Sequence, residues 1–260
     1  DASTVASNSF QQLDQPLDVS VASVAGVDLS AGATGNRFTG VSGRPWVYFY
    51  GVRLPAGSSS VWQPVGATVV TNGLSVGGEL AIGSGSVLRQ ACGSVFSAPG
   101  SIEVAGVLRT TGSATFTLAN DYTAAANSSP PPSAATCDGQ PWSLRVRDSG
   151  VVSLAGATIR SASVVSGTGG DAPSVTVVGS TLTDTSISAS FGTLVLRDNM
   201  ITGASGAQRV TMCGCAFGFS GNAHAEVTNN TFDRVPLSLD RVDDASTVAS
   251  NSFQQLDQPL

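Results

Sequence analysis

The sequence predicts an all-β protein whose strands stack as the turns of a parallel β-helix, a solenoid. Its apolar residues are mainly Val, Leu, Ala and Ile, and Gly, Ser and Thr fill much of the remainder, which favours strands joined by tight turns. A short apolar and polar pattern recurs through the second half of the chain. One long segment also occurs twice, and repeats of this kind are typical of stacked architectures.

Composition bounds the classes of function. The 260 residues are enough to bury a sizeable core, and the 41% hydrophobic content excludes a wholly disordered polymer. The net charge is −6 with only 12% charged residues, which argues against nucleic-acid binding, because a basic surface is needed to displace counterions from phosphates. The longest apolar stretches have the length of strands, so no membrane span is expected in this segment. No cofactor or metal is expected either.

The longest repeat lies at the two ends of the sequence. The letters DASTVASNSFQQLDQPL occupy residues 1–17 and recur unchanged at residues 244–260, a period of 243 residues. We interpret the chain as one tandem-repeat unit plus a 17-residue overlap with the next, with a less regular portion at 31–142 and the most regular strands at 143–260. Its partners are then adjacent repeats, head to tail. An engineered duplication or an overlapping boundary gives the same pattern.

A shorter repeat predicts the individual turns. Each copy begins with an apolar residue and has another five positions later, with mainly small or polar residues between. The first residues are Val177, Leu196, Met212, Val227 and Val248, and the fourth residues are Ser180, Asn199, Cys215, Asn230 and Asn251. Because side chains alternate along a strand, we expect the first residues to point inward, with Asn in the left-handed conformation at each bend and its amides stacked. A hairpin of an ordinary β-sandwich is the alternative.

Two segments are expected to be excursions from the stack. Residues 37–63 are rich in aromatics, and Trp46, Tyr48, Tyr50 and Trp62 form either part of the core or its cover, or an exposed platform that stacks on sugar rings or partner proteins. Residues 127–136 include three consecutive prolines, which cannot sit inside a sheet and therefore indicate a loop.

Four cysteines and two glycosylation sequons suit an exported protein. The spacing of Cys92, Cys137, Cys213 and Cys215 matches no zinc motif, so the set indicates two disulfides or buried free thiols. We expect Cys92 to pair with Cys137 across the proline-rich loop, and Cys213 and Cys215 to lie in the stack, either paired or free. Sequons for N-glycosylation begin at Asn127 and Asn229.

The region from about residue 173 to residue 260 resembles the rungs of right-handed parallel β-helix proteins, an architecture of pectate-lyase-like enzymes and many microbial adhesins. The segments VTNNTF, LRDNMITG, ELAIGSGSVLRQ and DDASTVASNSF are also similar to the dispersed-gene-family surface proteins of trypanosomes. These resemblances imply a right-handed helix, surface display and adhesion. They supply no catalytic residues.

No group of residues forms a convincing active site. The adjacent Asp243 and Asp244 suit a turn, Asp198 suits a bend, and the single histidine, His224, suits a surface turn better than a general base. The pair Cys213 and Cys215 lacks the usual redox spacing of two intervening residues. We therefore expect no enzyme.

Three functions follow, in order of preference. The first is a structural or scaffolding repeat unit of a long extracellular or cell-surface fibrous protein. The second is an adhesin module that binds glycans or a host or partner protein. The third is a polysaccharide lyase or hydrolase.

Overall fold

The structure is a computed structural model that describes residues 4–13, 15, 17–20, 23–39, 45–64, 66–91, 100–121, 140–167, 172–204, 207–214 and 223–256. These residues form 26 strands and, within the described ranges, no helix. In chain order the strands are β1 (Ser9–Gln11), β2 (Leu17–Ser20), β3 (Arg37–Thr39), β4 (Trp46–Leu54), β5 (Ser59–Trp62), β6 (Thr68–Val76), β7 (Glu79–Ile82), β8 (Ser86–Gln90), β9 (Ser101–Val104), β10 (Val107–Thr110), β11 (Ala114–Leu118), β12 (Trp142–Val146), β13 (Val151–Ala155), β14 (Thr158–Arg160), β15 (Ala162–Ser166), β16 (Ser174–Val178), β17 (Thr181–Thr183), β18 (Ser186–Ala189), β19 (Gly192–Arg197), β20 (Met200–Thr202), β21 (Val210–Cys213), β22 (Ala223–Thr228), β23 (Thr231–Asp233), β24 (Leu237–Asp240), β25 (Thr247–Ala249) and β26 (Ser252–Gln254).

The strands form three rows of parallel partners. Row 1 is an eight-stranded sheet in the order β25-β22-β19-β16-β13-β10-β7-β5. Row 2 (β26-β23-β20-β17-β14-β11-β8) and row 3 (β24-β21-β18-β15-β12-β9) belong to one sixteen-stranded sheet and meet at β6. From β7 to β24, every set of three consecutive strands therefore contributes one strand to each row. The chain is all-β with parallel sheets.

The alternation of side chains explains why these segments form strands with one buried face. In β16, Val175 and Val177 are buried while Ser174, Thr176 and Val178 are partly exposed. Neighbouring strands of a row are aligned so that the inward-facing residues of one strand pair with the inward-facing residues of the next. Stacked apolar side chains from all three rows form one continuous core, and burial of this apolar area is the main stabilising contribution. A second, smaller cluster includes Trp46 and Tyr48.

The sequence pattern placed most of the inward residues correctly, and one assignment was wrong. Val177, Leu196 and Val227 pair in register along row 1 and are buried, as predicted. Met212 is also buried but lies in β21 of row 3, so it does not belong to this series. Val248 continues the series in β25, the last strand of row 1, and its side chain is 47% exposed because no described strand covers it.

The aromatic-rich segment is part of the sheet, so the expectation of an excursion was wrong for its main strand. β4 pairs with β2 on one side and along most of its length with β6 on the other. Both nine-residue strands bend at a central glycine, Gly51 (φ 56°) and Gly73 (φ 87°). Glycine adopts this left-handed conformation without a steric cost. Because the strand bends there, a single strand such as β6 can pair with both row 2 and row 3. The proline-rich loop lies outside the described residues.

No helix in the described ranges has the length and apolar character needed to cross a membrane.

Candidate functional site at the ends of the strand rows

Asparagine side chains stack at the bend between row 1 and row 2. The backbone N–H and Nδ2 of Asn199 donate to Oδ1 of Asn230 at 3.0 and 2.9 Å. The same two groups of Asn230 donate to Oδ1 of Asn251 at 2.9 and 3.0 Å. Asn230 Nδ2 also donates to the carbonyl of Leu196 in the preceding set, at 2.9 Å. Ser180 precedes the three asparagines, and its N–H donates to Asn199 Oδ1 at 2.9 Å.

The residue before each stacked asparagine turns the chain. Asp198, Asn229 and Ser250 have φ values of 58°, 57° and 57°. The left-handed conformation predicted for the stacked residue is therefore wrong by one position. The side-chain amide of each stacked asparagine instead forms hydrogen bonds to the bends of the neighbouring sets of strands. These hydrogen bonds fix the orientation of the side chain. The left-handed residue before it stays solvent-exposed at each of these three bends.

Phenylalanine rings stack just after these bends, in row 2. Phe232 is fully buried, and its ring lies 5.0 Å from that of Phe253 with an interplanar angle of 10°. At the other end of the chain, Phe10 and Phe38 stack at 5.2 Å and 4°. Each such pair contributes about 0.5–1.5 kcal/mol beyond the area it buries.

The two copies of the repeated segment have the same local conformation at the described positions. Ser7 and Ser250 have φ values of 58° and 57°, and Gln12 and Gln255 both have 53°. The strand SFQ occupies the same place in each copy, as β1 and as β26. Identical residues in these two places therefore make the same turns.

The neighbours of the two copies lie on opposite sides. In the first copy, the N–H and Nδ2 of Asn8 donate to Oδ1 of Asn36 at 3.1 and 3.0 Å, so its partner follows it along the chain. In the second copy, Asn251 accepts from Asn230, which precedes it, and donates through Nδ2 to the carbonyl of Val227 at 2.8 Å. Among the described residues, each copy is thus unpaired on the side on which the other copy is paired.

Burial of the aromatic residues favours the core or cover interpretation over the exposed platform. Trp46, Tyr48 and Trp62 are 4%, 1% and 0% exposed, and only Tyr50 is partly exposed. The Trp62 ring packs 4.9 Å from that of Phe49 within the core. The platform was the residue-level basis of the adhesin alternative, and this burial removes that support.

Three of the four cysteines, Cys92, Cys137 and Cys215, lie outside the described residues, so the Cys92–Cys137 pairing stays a prediction. Cys213 ends β21, and its sulfur is not a free thiol. The Sγ atom lies 3.6 Å from Oδ2 of Asp240 in the adjacent β24. The two-disulfide interpretation therefore also stays a prediction.

The sequon at Asn229 lies at an exposed turn. Asn229 is the left-handed residue between β22 and β23, and its side chain is exposed to solvent. Thr231 opens β23 and is partly exposed. The asparagine of this sequon is therefore accessible to modification, whereas Asn127 lies outside the described residues.

His224, Asp243 and Ser246 are not arranged as a nucleophilic Ser-His-Asp triad. Its Nδ1 lies 3.0 Å from Oδ1 of Asp243, and the hydroxyl of Ser246 donates to that same carboxylate oxygen at 2.8 Å. Hydrogen bonds from His224 and then Ser246 hold the pKa of Asp243 below its ordinary value. Because the hydroxyl bonds the carboxylate and not the imidazole, the histidine is not placed to take its proton. The three residues instead pin the turn that begins the second repeated segment.

No protein-family model matches this chain, and no curated protein or solved structure matches it. In the described part of the chain, no three or more His, Cys, Asp or Glu side chains are grouped so that they could hold a metal ion.

Proposed function

We propose that the three rows are the faces of a right-handed parallel β-helix, and that the chain is a structural repeat unit of a long extracellular or cell-surface fibrous protein. The regular contribution of one strand per row by each set of three supports the helix. Right-handedness comes from the resemblance to known β-helix proteins. One set of three strands is then one coil.

The observation that carries the proposal is the pair of identical 17-residue segments, which at their described positions adopt the same turns and are paired on opposite sides. If residues 244–260 begin a further unit, the coil that they form has neighbours on both sides. An open strand edge is a template for further pairing, and in such an array every edge between units is satisfied. A stack of this kind is a continuous rod.

Display outside the cell is part of the proposal. It is supported by the accessible sequon asparagine Asn229 and by the even set of four cysteines in the sequence. Disulfides and N-linked glycans both form in the secretory pathway. The trypanosome-like segments quoted above point the same way.

A chain of two units tests the array. It consists of residues 1–243 followed by residues 1–260, and the control is the single chain of residues 1–260. Roughly nine coils per unit at ~4.8 Å per coil add about 45 Å to the length. Small-angle scattering and electron microscopy should show a rod of nearly twice the length and unchanged width. Two compact bodies at variable angles would contradict the proposal.

A further inference from the structure

The interior of the asparagine stack shows what a fully paired coil looks like. Asn230 accepts from Asn199 on one side and donates to Asn251 on the other, and it is 1% exposed. Its Nδ2 reaches back to the carbonyl of Leu196, in the preceding coil. Each interior asparagine therefore links three successive coils.

The first copy is paired on the side on which the second copy has no described partner, so its contacts show which partner would fit the second copy. Asn36 accepts from the N–H and Nδ2 of Asn8, and its own Nδ2 donates to the carbonyl of Val5 at 2.8 Å. Val5 and Val27 form a parallel bridge, and β1 pairs in parallel with β3. Residues 26–39 therefore pack against the side of the first copy that faces the next strands of the chain. They contact it through the Asn36 side-chain amide, the Phe38 ring and backbone pairing.

Resting on the proposed array, we propose that the edge formed by Val248, Asn251 and Phe253 is the docking surface for residues 26–39 of the next unit of the same sequence. The N–H and Nδ2 of Asn251 then donate to Oδ1 of the next unit's Asn36. That Asn36 returns its Nδ2 to the carbonyl of Val248. Two units thereby share one coil, with no linker between them.

Burial and ring stacking fit the same partner. Val248 is 47% exposed in the single chain, and the next unit's Val27 covers it, as Val27 pairs with Val5 in the first copy. Phe253 already stacks on Phe232. The next unit's Phe38 then stacks on its other side, so the row of rings continues through the junction.

Hydrogen exchange in the two-unit chain tests the junction. A peptide that runs from Arg241 through the repeated segment into the following DVSV sequence exists only at the junction. Its amides should exchange at least about tenfold more slowly than those of residues 241–260 in the single chain, because the exposed edge of a terminal strand frays while a paired one does not.

Matched variants test the shared coil independently of the proposed array. Asn36→Ala in the second unit should return the junction to fast exchange, whereas Asn36→Ala in the first unit should leave it protected. Asn36→Ser keeps an acceptor in the second unit and should have a smaller effect. A rod of doubled length whose junction exchanges as fast as the single chain's end would overturn the shared coil and leave the array standing. Two separate bodies would overturn both.

Discussion

The chain bends in two different ways in two regions of the same stack. In the glycine-bent region, residues 45–64 and 66–91, every described residue with positive φ is glycine. In the asparagine-bent region, residues 193–204, 207–214 and 223–256, every such residue carries a side chain. Both regions supply strands to the same rows, so the difference lies in how the bends are held.

At the bends between row 1 and row 2, the residue after the bend differs between the two regions. Gly66 and Gly85 precede Ala67 and Ser86, of which only the serine side chain makes a bond across strands, to the carbonyl of Trp62 at 3.1 Å. Asp198, Asn229 and Ser250 each precede a stacked asparagine. A left-handed side-chain residue costs about 1–2 kcal/mol, and strained conformations persist where neighbouring contacts over-determine them. At these three bends the asparagine stack supplies such contacts, so glycine is not needed there. Arg234, Arg241 and Gln255 are also left-handed but precede no stacked asparagine.

The largest expected effect is loss of a stacked asparagine. Asn230→Ala removes the acceptor for the backbone N–H and Nδ2 of Asn199. The N–H is left buried without this partner, at about 1–3 kcal/mol, whereas Nδ2 keeps its bond to the carbonyl of Val177. The variant also removes the Nδ2 donor that bonds the carbonyl of Leu196. We expect the free energy of unfolding to fall by about 3 kcal/mol in urea titration. Asn230→Ser, which imitates Ser180, should lose clearly less. Equal losses of stability for the two variants would contradict the conclusion that hydrogen bonds of the asparagine stack hold these bends.

A substitution in the glycine-bent region should act through the backbone alone. Gly73 has φ of 87°, and a Cβ added there meets nothing closer than Gly51 at 3.7 Å. Gly73→Ala should therefore cost about 1–2 kcal/mol through the left-handed conformation and not through a clash. Gly51→Ala, which meets nothing within 4 Å, is the matched variant and should lower the denaturation midpoint similarly. An unchanged midpoint in both would show that these bends tolerate side chains without the stack.

The reverse substitution in the asparagine-bent region should stabilise. Asp198 is exposed with φ of 58°, so Asp198→Gly relieves the left-handed strain, and part of this gain is lost to the freer unfolded chain. A net gain of about 0.5–1 kcal/mol is expected in thermal unfolding, and Asp198→Ala should destabilise instead. If glycine destabilised this position, the aspartate side chain would have a bonding role of its own.

The smallest effect concerns pH. The pKa of Asp243 is lowered from 3.8 by its hydrogen bonds to His224 and Ser246, so the folded state holds the proton less tightly than the unfolded state. Its contribution to stability is present above pH 3.8 and is lost as pH falls through the lowered pKa. Asp243→Asn should flatten this part of the stability curve, measured by urea unfolding at a series of acidic pH values. A curve of unchanged slope would contradict the assignment.

The sequence predicted what depends on alternation and missed what depends on the row to which a strand belongs. Val177, Leu196 and Val227 were placed correctly because each precedes a polar bend and faces the core. Met212 was misplaced because strands of row 3 alternate in the same way as those of row 1, so its local pattern carries no sign of its row. The true spacing from Leu196 to Val227 is one interval of 31 residues, not two short ones.

The sequence left the aromatic segment open between a core or cover and an exposed platform. Trp46 and Tyr48 lie on the face of β4 opposite Val47 and Phe49, yet both faces are buried. Alternation shows that a strand has two faces, but only the contacts of distant segments decide whether the second face is covered. The stacking of asparagines was predicted, because it follows from equal spacing between an inward residue and the bend.

The direction of the bonds within each row would determine how the proposed fibre responds to force. These bonds run from strand to strand, so a pull along the stacking direction loads successive strands in series, and the outermost one separates first. The 21 residues from Val227 to Val248 extend to about 70 Å once peeled away, against ~4.8 Å while stacked. A fibre of these units should lengthen in many small steps under tension, and absorb work at each step before any unit is lost.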